Sequence, residues 1–252
     1  MCTASSSTEP NSHVADRTGF RYFSEGAVGS AHDLAHRLLD ADRLEEGWRR
    51  LGAILDGLDE SQVTGAKGAH LQWHMAVFEI AVGRCREAHA RFRKHLLPLV
   101  DEGQVLTDAP SLLWRLWVAG HRDGLEWDAV AGPARRVLGE GDASRYVLLH
   151  QALAVAGARD VRVLDRFLDG RMELSHPILE HQRESLFLRL VWAMRTFANR
   201  DFACSAELLD CEESIGLIGG SGAQNELFGD LHECAEDAVG GAVGSKIVTS
   251  AA

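Results

Sequence analysis

Two histidine pairs carry the chemistry this sequence offers. His32 and His36 stand four apart in "AHDLAH", and His70 and His74 four apart in "AHLQWH". On a helix that spacing places both members of a pair on one side. Asp40, Trp73, Glu79, Arg115 and His150 sit on neighbouring helical stretches. An imidazole beside a carboxylate titrates near neutral pH and can move a proton in a small-molecule reaction. His70, His74 and Glu79 are therefore the candidate catalytic groups, with His32, His36, Trp73, Arg115 and His150 as candidate ligand-binding groups. Paired histidines can also share a metal ion. Neither pair carries the general-base Glu of the H-E-x-x-H signature, so the expectation is no bound metal and no cofactor. A plain structural reading stays open beside both: imidazoles that cross helix seams and bond to backbone carbonyls.

Other motifs point to packing. "IGGSGAQ" is glycine-rich ahead of a helix, but it lacks the Lys and the spacing of a phosphate loop, and Ser221 with Gln224 makes a capping box. "SLLWRLW" sets Trp114 and Trp117 around Arg115 as a packed seam, and a buried Arg115 would need an acid such as Asp108 or one on a neighbouring helix. Pro177 in "HPILEH" is a helix-start signal. Cys85 and Cys204 lack the neighbourhood of a nucleophile.

The elements that must position these groups are helical. Apolar residues recur at helical spacing and almost never alternate with period two. Leu34 and Leu38 mark one helix, and Leu44, Trp48, Leu51 and Leu55 a second, around "DADR". Leu71, Met75, Phe78 and Val82 continue the second histidine stretch to Gly83, and Cys85, Ala88, Phe92 and Leu96 follow toward Pro98. The turns repeat: "LLDADRLEEGWRRL", "EIAVGRCREAHARF", "LAVAGARDVRVL" and "TFANRDFACSAELL" each join two apolar helices through a small or turn residue and an Arg or Asp. Helix hairpins recurring at roughly 34 to 47 residues are the signature of a helical solenoid. Ala35, Asp42, Gly47 and Leu51, then Ala76, Gly83, Ala88 and Phe92, fill the small-residue, turn and large-residue roles of a tetratricopeptide pair. The expected fold is all-α, a tetratricopeptide-like stack of about five antiparallel hairpins. It spans residues 29–238, between a flexible N-terminal segment (1–28) and a flexible tail (239–252).

Composition sets the remaining bounds. A chain of 252 residues, 46% of them hydrophobic, can bury a sizeable core. A formal charge of −11 argues against nucleic acid or an anionic membrane as partner. No apolar run approaches the roughly 18 residues of a bilayer span, and "MCTASSSTEPNSHVADR" has no signal-peptide centre. Five cysteines without a C-x-x-C fit a reducing cytoplasm.

"AHDLAHRLLDADRLEEG", "HLQWHMAVFEIAVGR", "DAPSLLWRLWVAG", "YVLLHQALAVAGARD" and "IGGSGAQNELFGDLHECA" occur in order over most of residues 31–238. Together they resemble the tetratricopeptide repeat protein 38 family, specifically the C-terminal part of its longer bacterial relatives. The resemblance implies an all-helical repeat array and carries no defined activity. Against the family pattern, Leu39 replaces a Glu, Glu79 a His and Gly222 a His, while His32, His36, His70, Trp73 and His74 are kept. An array lacking its N-terminal half exposes an apolar end, which "FRYFSEGAVG", a companion subunit or a second copy would cover. Two functions follow as expectations. One is an assembly subunit whose His-, Trp- and acid-lined groove binds a partner protein or a small polar ligand. The other is an enzyme, or one subunit of a heteromeric enzyme, in bacterial specialised metabolism, using acid–base chemistry for a cyclisation or elimination.

Overall fold

The computed structural model describes residues 26–59, 63–172, 178–210 and 212–249. The segment 20–25 of "FRYFSEGAVG", Pro177 and most of the N-terminal segment lie outside the described residues. Among the described residues the chain is helical with no strand, in the order α1 (Gly26–Asp40), α2 (Leu44–Gly57), α3 (Gly65–Ala81), α4 (Cys85–Arg91), α5 (Asp108–Val118), α6 (Trp127–Glu140), α7 (Arg145–Gly157), α8 (Val161–Met172), α9 (Ile178–Ala198), α10 (Phe202–Leu209) and α11 (Gly222–Thr249). α4 continues as a π turn over Phe92–Leu96 and a 3-10 turn over Leu97–Leu99, where Pro98 ends the helical run. α1 begins at Gly26, three residues before the expected boundary, and α11 runs to Thr249 across the stretch expected as a tail. Ala242 and Val243, between Gly241 and Gly244, interrupt the glycines of this stretch and keep helical geometry accessible.

The same turn joins five consecutive pairs. Asp42, Gly83, Gly120, Arg159 and Arg200 are all left-handed, at successive spacings of 41, 37, 39 and 41 residues. In each the following N–H reaches back five residues: Arg43 to Leu38 O, Arg84 to Glu79 O, His121 to Leu116 O, Asp160 to Val155 O and Asp201 to Thr196 O, at 2.7–3.1 Å. That bond, with the i to i−3 bond beside it, closes the orphan carbonyls of a helix C-terminus and reverses the chain. The Gly120 turn was hidden in the sequence because "VAGHRDGLEW" separates it from its second helix by a longer loop.

The leading helices pack in series, α1 on α3, α3 on α5, α5 on α7 and α7 on α9, while each trailing helix wedges against the next leading one. α11 returns across this layer to meet α10, α5 and α1. Small residues set the crossings: Ala35, Ala76 and Ala88 are fully buried. A Cβ on Gly47 would lie 2.1 Å from Phe78 Cε1, and one on Gly157 2.1 Å from Trp127 Cε3. The fully buried side chains of Phe78, Phe92, Phe187 and Phe228 each contribute roughly 1.5–3 kcal/mol. No helix among the described residues is long and apolar enough to cross a membrane.

Candidate functional site

α1 and α3 lie side by side, so the two histidine pairs meet. His32, His36, His70 and His74 each offer a ring nitrogen, and these four atoms all lie within 4.8 Å of one another. Ring centroids are separated by 4.5 Å (His32–His36), 4.7 Å (His70–His74), 4.6 Å (His36–His74), 5.2 Å (His32–His74) and 5.3 Å (His32–His70). His32 and His74 are buried, while His36 and His70 are partly exposed and form the solvent side of the cluster.

The nitrogens are oriented as well as clustered. His70 Nδ1 donates to Asp108 Oδ2 at 2.8 Å, which turns Nε2 away from that carboxylate. His32 Nε2 and His36 Nε2 stand 3.1 Å apart. Two nitrogens at that separation, each about 2.05 Å from one ion, subtend roughly 100° there, close to tetrahedral. Neither nitrogen of His74 has a hydrogen-bond partner among the described residues, although the ring is fully buried. A buried imidazole left without partners is costly in a folded protein. Burial, reinforced by the charges of His70 and His36, lowers His32 from 6.5 to about 4. Burial followed by His70 lowers His36, and burial followed by His70, His36, His32 and Arg115 lowers His74 strongly. At neutral pH these three rings are neutral, the form that ligates a metal.

A buried polar layer continues inward along the leading helices. Counted back from each left-handed turn residue, His74, Ser111 and His150 occupy the same position on α3, α5 and α7, nine residues before Gly83, Gly120 and Arg159. Ser111 Oγ and His150 Nε2 lack partners among the described residues, as do Trp73 Nε1, Arg115 Nε and the Tyr146 hydroxyl. His150 Nδ1 donates to Tyr146 O at 2.9 Å, and burial lowers this imidazole to about 4. Burial, then the Asp108 charge, raises the Tyr146 phenol well above its usual range. Trp73 stacks on His70 at 5.5 Å, and the Arg115 guanidinium lies 5.9 Å over the Trp73 ring.

The structure thus brings His32, His36, His70, His74 and Trp73 together, with Arg115 and His150 in the layer behind them. Glu79 does not join. Five positions past His74, it is about 7.5 Å further along the helix axis, where it receives Arg91 Nε at 2.9 Å and Arg91 Nη2 at 2.7 Å; Arg91 also donates to Gln72. A carboxylate held in that fork ties α3 to α4 and is not available as a base for the cluster. Asp40 is exposed beside the cluster and works to raise His36, against burial. Asp108 serves His70, and the acid nearest Arg115 is Asp230 of α11, at 3.8 Å, with Ala223 O as a further acceptor. Asp108 in this role, Ser111 and Tyr146 were missed by sequence reasoning; counting from the turns would have found Ser111 alone.

The remaining motifs behave as packing. Ser221 N–H donates to Gln224 Oε1 at 3.0 Å and Gln224 N–H to Ser221 Oγ at 3.4 Å, closing the capping box. Trp114 is buried, donates to Leu153 O at 2.8 Å and packs edge-on against Trp117. Burial raises the Cys85 thiol, the opposite of an activated nucleophile. No protein-family model matches this chain, and neither does any curated protein or solved structure.

Proposed function

We propose that His32, His36, His70 and His74 bind one first-row transition-metal ion and that the protein works as a metalloprotein. The observation that carries this is the convergence of four imidazole nitrogens within 4.8 Å while Asp108 holds His70 from its far nitrogen. A carboxylate behind a ligating histidine fixes its tautomer and raises its basicity, the usual support of a metal ligand. An all-imidazole donor set suits zinc, copper, nickel or iron, and offers none of the oxygen ligands that calcium or magnesium require. This reverses the expectation of no metal, which leaned on the missing H-E-x-x-H Glu; here the ligands come from two helices, so no single-helix signature is required.

Within this reading the enzyme, or enzyme subunit, is favoured over the assembly module. The cluster has a solvent side at His36 and His70, through which a small molecule reaches the ion. On its inner side α11 packs across α5 and α1, where a partner-binding groove would need open space. A bound ion there supplies Lewis acidity, or lowers the pKa of a bound water. The chain's own groups orient it: Asp108 through His70, and Trp73 through its stacked ring. The tetratricopeptide-like stack is likewise our reading, supported by five equivalent turns and one continuous layer of leading helices. The test is elemental analysis of the purified protein with cobalt(II) titration of the metal-free form. We expect one ion per chain with tetrahedral cobalt absorption, lost in His36→Ala and His74→Ala. Uptake of zinc, copper, nickel and iron no greater than in those two variants would overturn it.

A further inference from the structure

A cluster of basic side chains lies on α4, the helix that follows α3 in the same hairpin. Arg86, Ala90, Arg93 and Lys94 follow at helical spacing along α4 and into its π turn, so the three cations flank a small residue. The loop after α5 faces them with His121 and Asp123, and the cleft between has a volume of about 620 Å³, lined also by His89. The depression is shallow and open to solvent, so it suits a polar molecule held at the surface by charge rather than one enclosed by apolar walls. Its lining sets three permanent cations and two imidazoles against one carboxylate, on a chain whose net charge is −11. Departures from α geometry to a π turn concentrate at functional positions, and this one carries Arg93 and Lys94.

The cleft has a braced wall and a free one. His89 is buried, its Nε2 donating to Glu126 Oε2 at 2.9 Å and its Nδ1 2.9 Å from His121 Nε2. The short contact between the two rings ties His121 of the loop to His89 of α4. Arg93 is pinned by Glu126 and by Gly124 O, 3.0 Å from its Nη2. Arg86 and Lys94 make no ion pair among the described residues and are exposed, so their charges remain available. Arg86 and Arg93 also act on His121, adding to burial and to His89 in lowering its basicity, which is where a neighbouring anion would relieve repulsion.

We infer that this cleft binds a phosphorylated small molecule, its phosphoryl group held between Arg86, Lys94 and His121 and its remainder lying over Ala90. Guanidinium and ammonium groups converging with an imidazole match the charge and acceptor-rich oxygens of a phosphate ester. The site does not depend on the histidine cluster of α1 and α3. The test is calorimetric titration of the full chain, treated with chelator, with inorganic phosphate, pyrophosphate and ADP at low salt, alongside nitrogen-15 spectra of the histidine side chains. We expect saturable binding that weakens with added salt. ADP binding tighter than both phosphate and pyrophosphate would identify an esterified ligand, and phosphate or pyrophosphate binding as tightly as ADP would instead reduce the site to one for inorganic phosphates and overturn the ester assignment. His121 should move toward the doubly protonated form on binding. Arg86→Gln and Lys94→Gln, both exposed substitutions, should each weaken binding about tenfold or more, while His36→Ala should leave it unchanged. Absence of saturable binding, or binding indifferent to Arg86→Gln and Lys94→Gln, would overturn the inference. A loss in His36→Ala would place the phosphate at the histidine cluster of α1 and α3 instead and overturn the inference.

Discussion

Acidification of the metal-free protein should unfold it well above the pH at which carboxylates protonate. His32 and His150 are held neutral in the native state with values lowered from 6.5 to about 4, burial being the first cause for both. In the unfolded chain each returns to about 6.5 and takes up a proton below that pH. Native stability is therefore whole above pH 6.5 and lost as pH falls toward 4, because the unfolded state binds more protons over that interval. At pH 5 the difference comes to about 2 kcal/mol for each ring, or about 4 kcal/mol for the two. Burial and like charges lower His36 and His74 in the same direction. Against a total stability of about 5–15 kcal/mol for a folded domain, a loss of that size moves the unfolding midpoint far. Urea titrations at pH 7.5, 6 and 5 with chelator present give the stability at each pH, and a transition-metal ion added at pH 6 should restore part of the loss by competing with the protons. Stability at pH 5 within about 1 kcal/mol of that at pH 7.5 would refute the premise that these imidazoles are buried neutral.

Asp108→Asn keeps the shape but removes the charge behind His70, and should weaken metal binding about 10- to 100-fold in a cobalt titration while the fold persists. Glu79→Gln breaks the fork to Arg91 and should cost about 3–5 kcal/mol in urea unfolding, yet leave metal affinity unchanged when measured in the folded protein; a loss of metal would place Glu79 back in the site. Gly47→Ala drives a methyl into the Phe78 ring, and should lower stability by about 1–3 kcal/mol as the α2–α3 crossing opens. The same change at Gly157 meets Trp127 and should behave alike, read as a drop in the thermal midpoint.

What the sequence determined by itself is local. The four-residue spacing of His32 with His36 and of His70 with His74 fixes each pair on one helix face, because helical periodicity needs nothing beyond the chain's own turn. The hairpin turns were legible for the same reason at four of five places, and the alanines and glycines at the crossings announced where helices come close. Whether the two faces meet each other was not written locally. That depends on α1 packing beside α3, an arrangement set by side chains distributed over both helices and the helix between them. Asp108 reaches His70 across 38 residues of sequence, and Arg91 draws Glu79 away through a bidentate pair that outcompetes any looser contact at the histidines. The return of α11 onto α5 and α1 likewise depends on the assembled layer, because the surface it buries is made jointly by helices far apart in the chain.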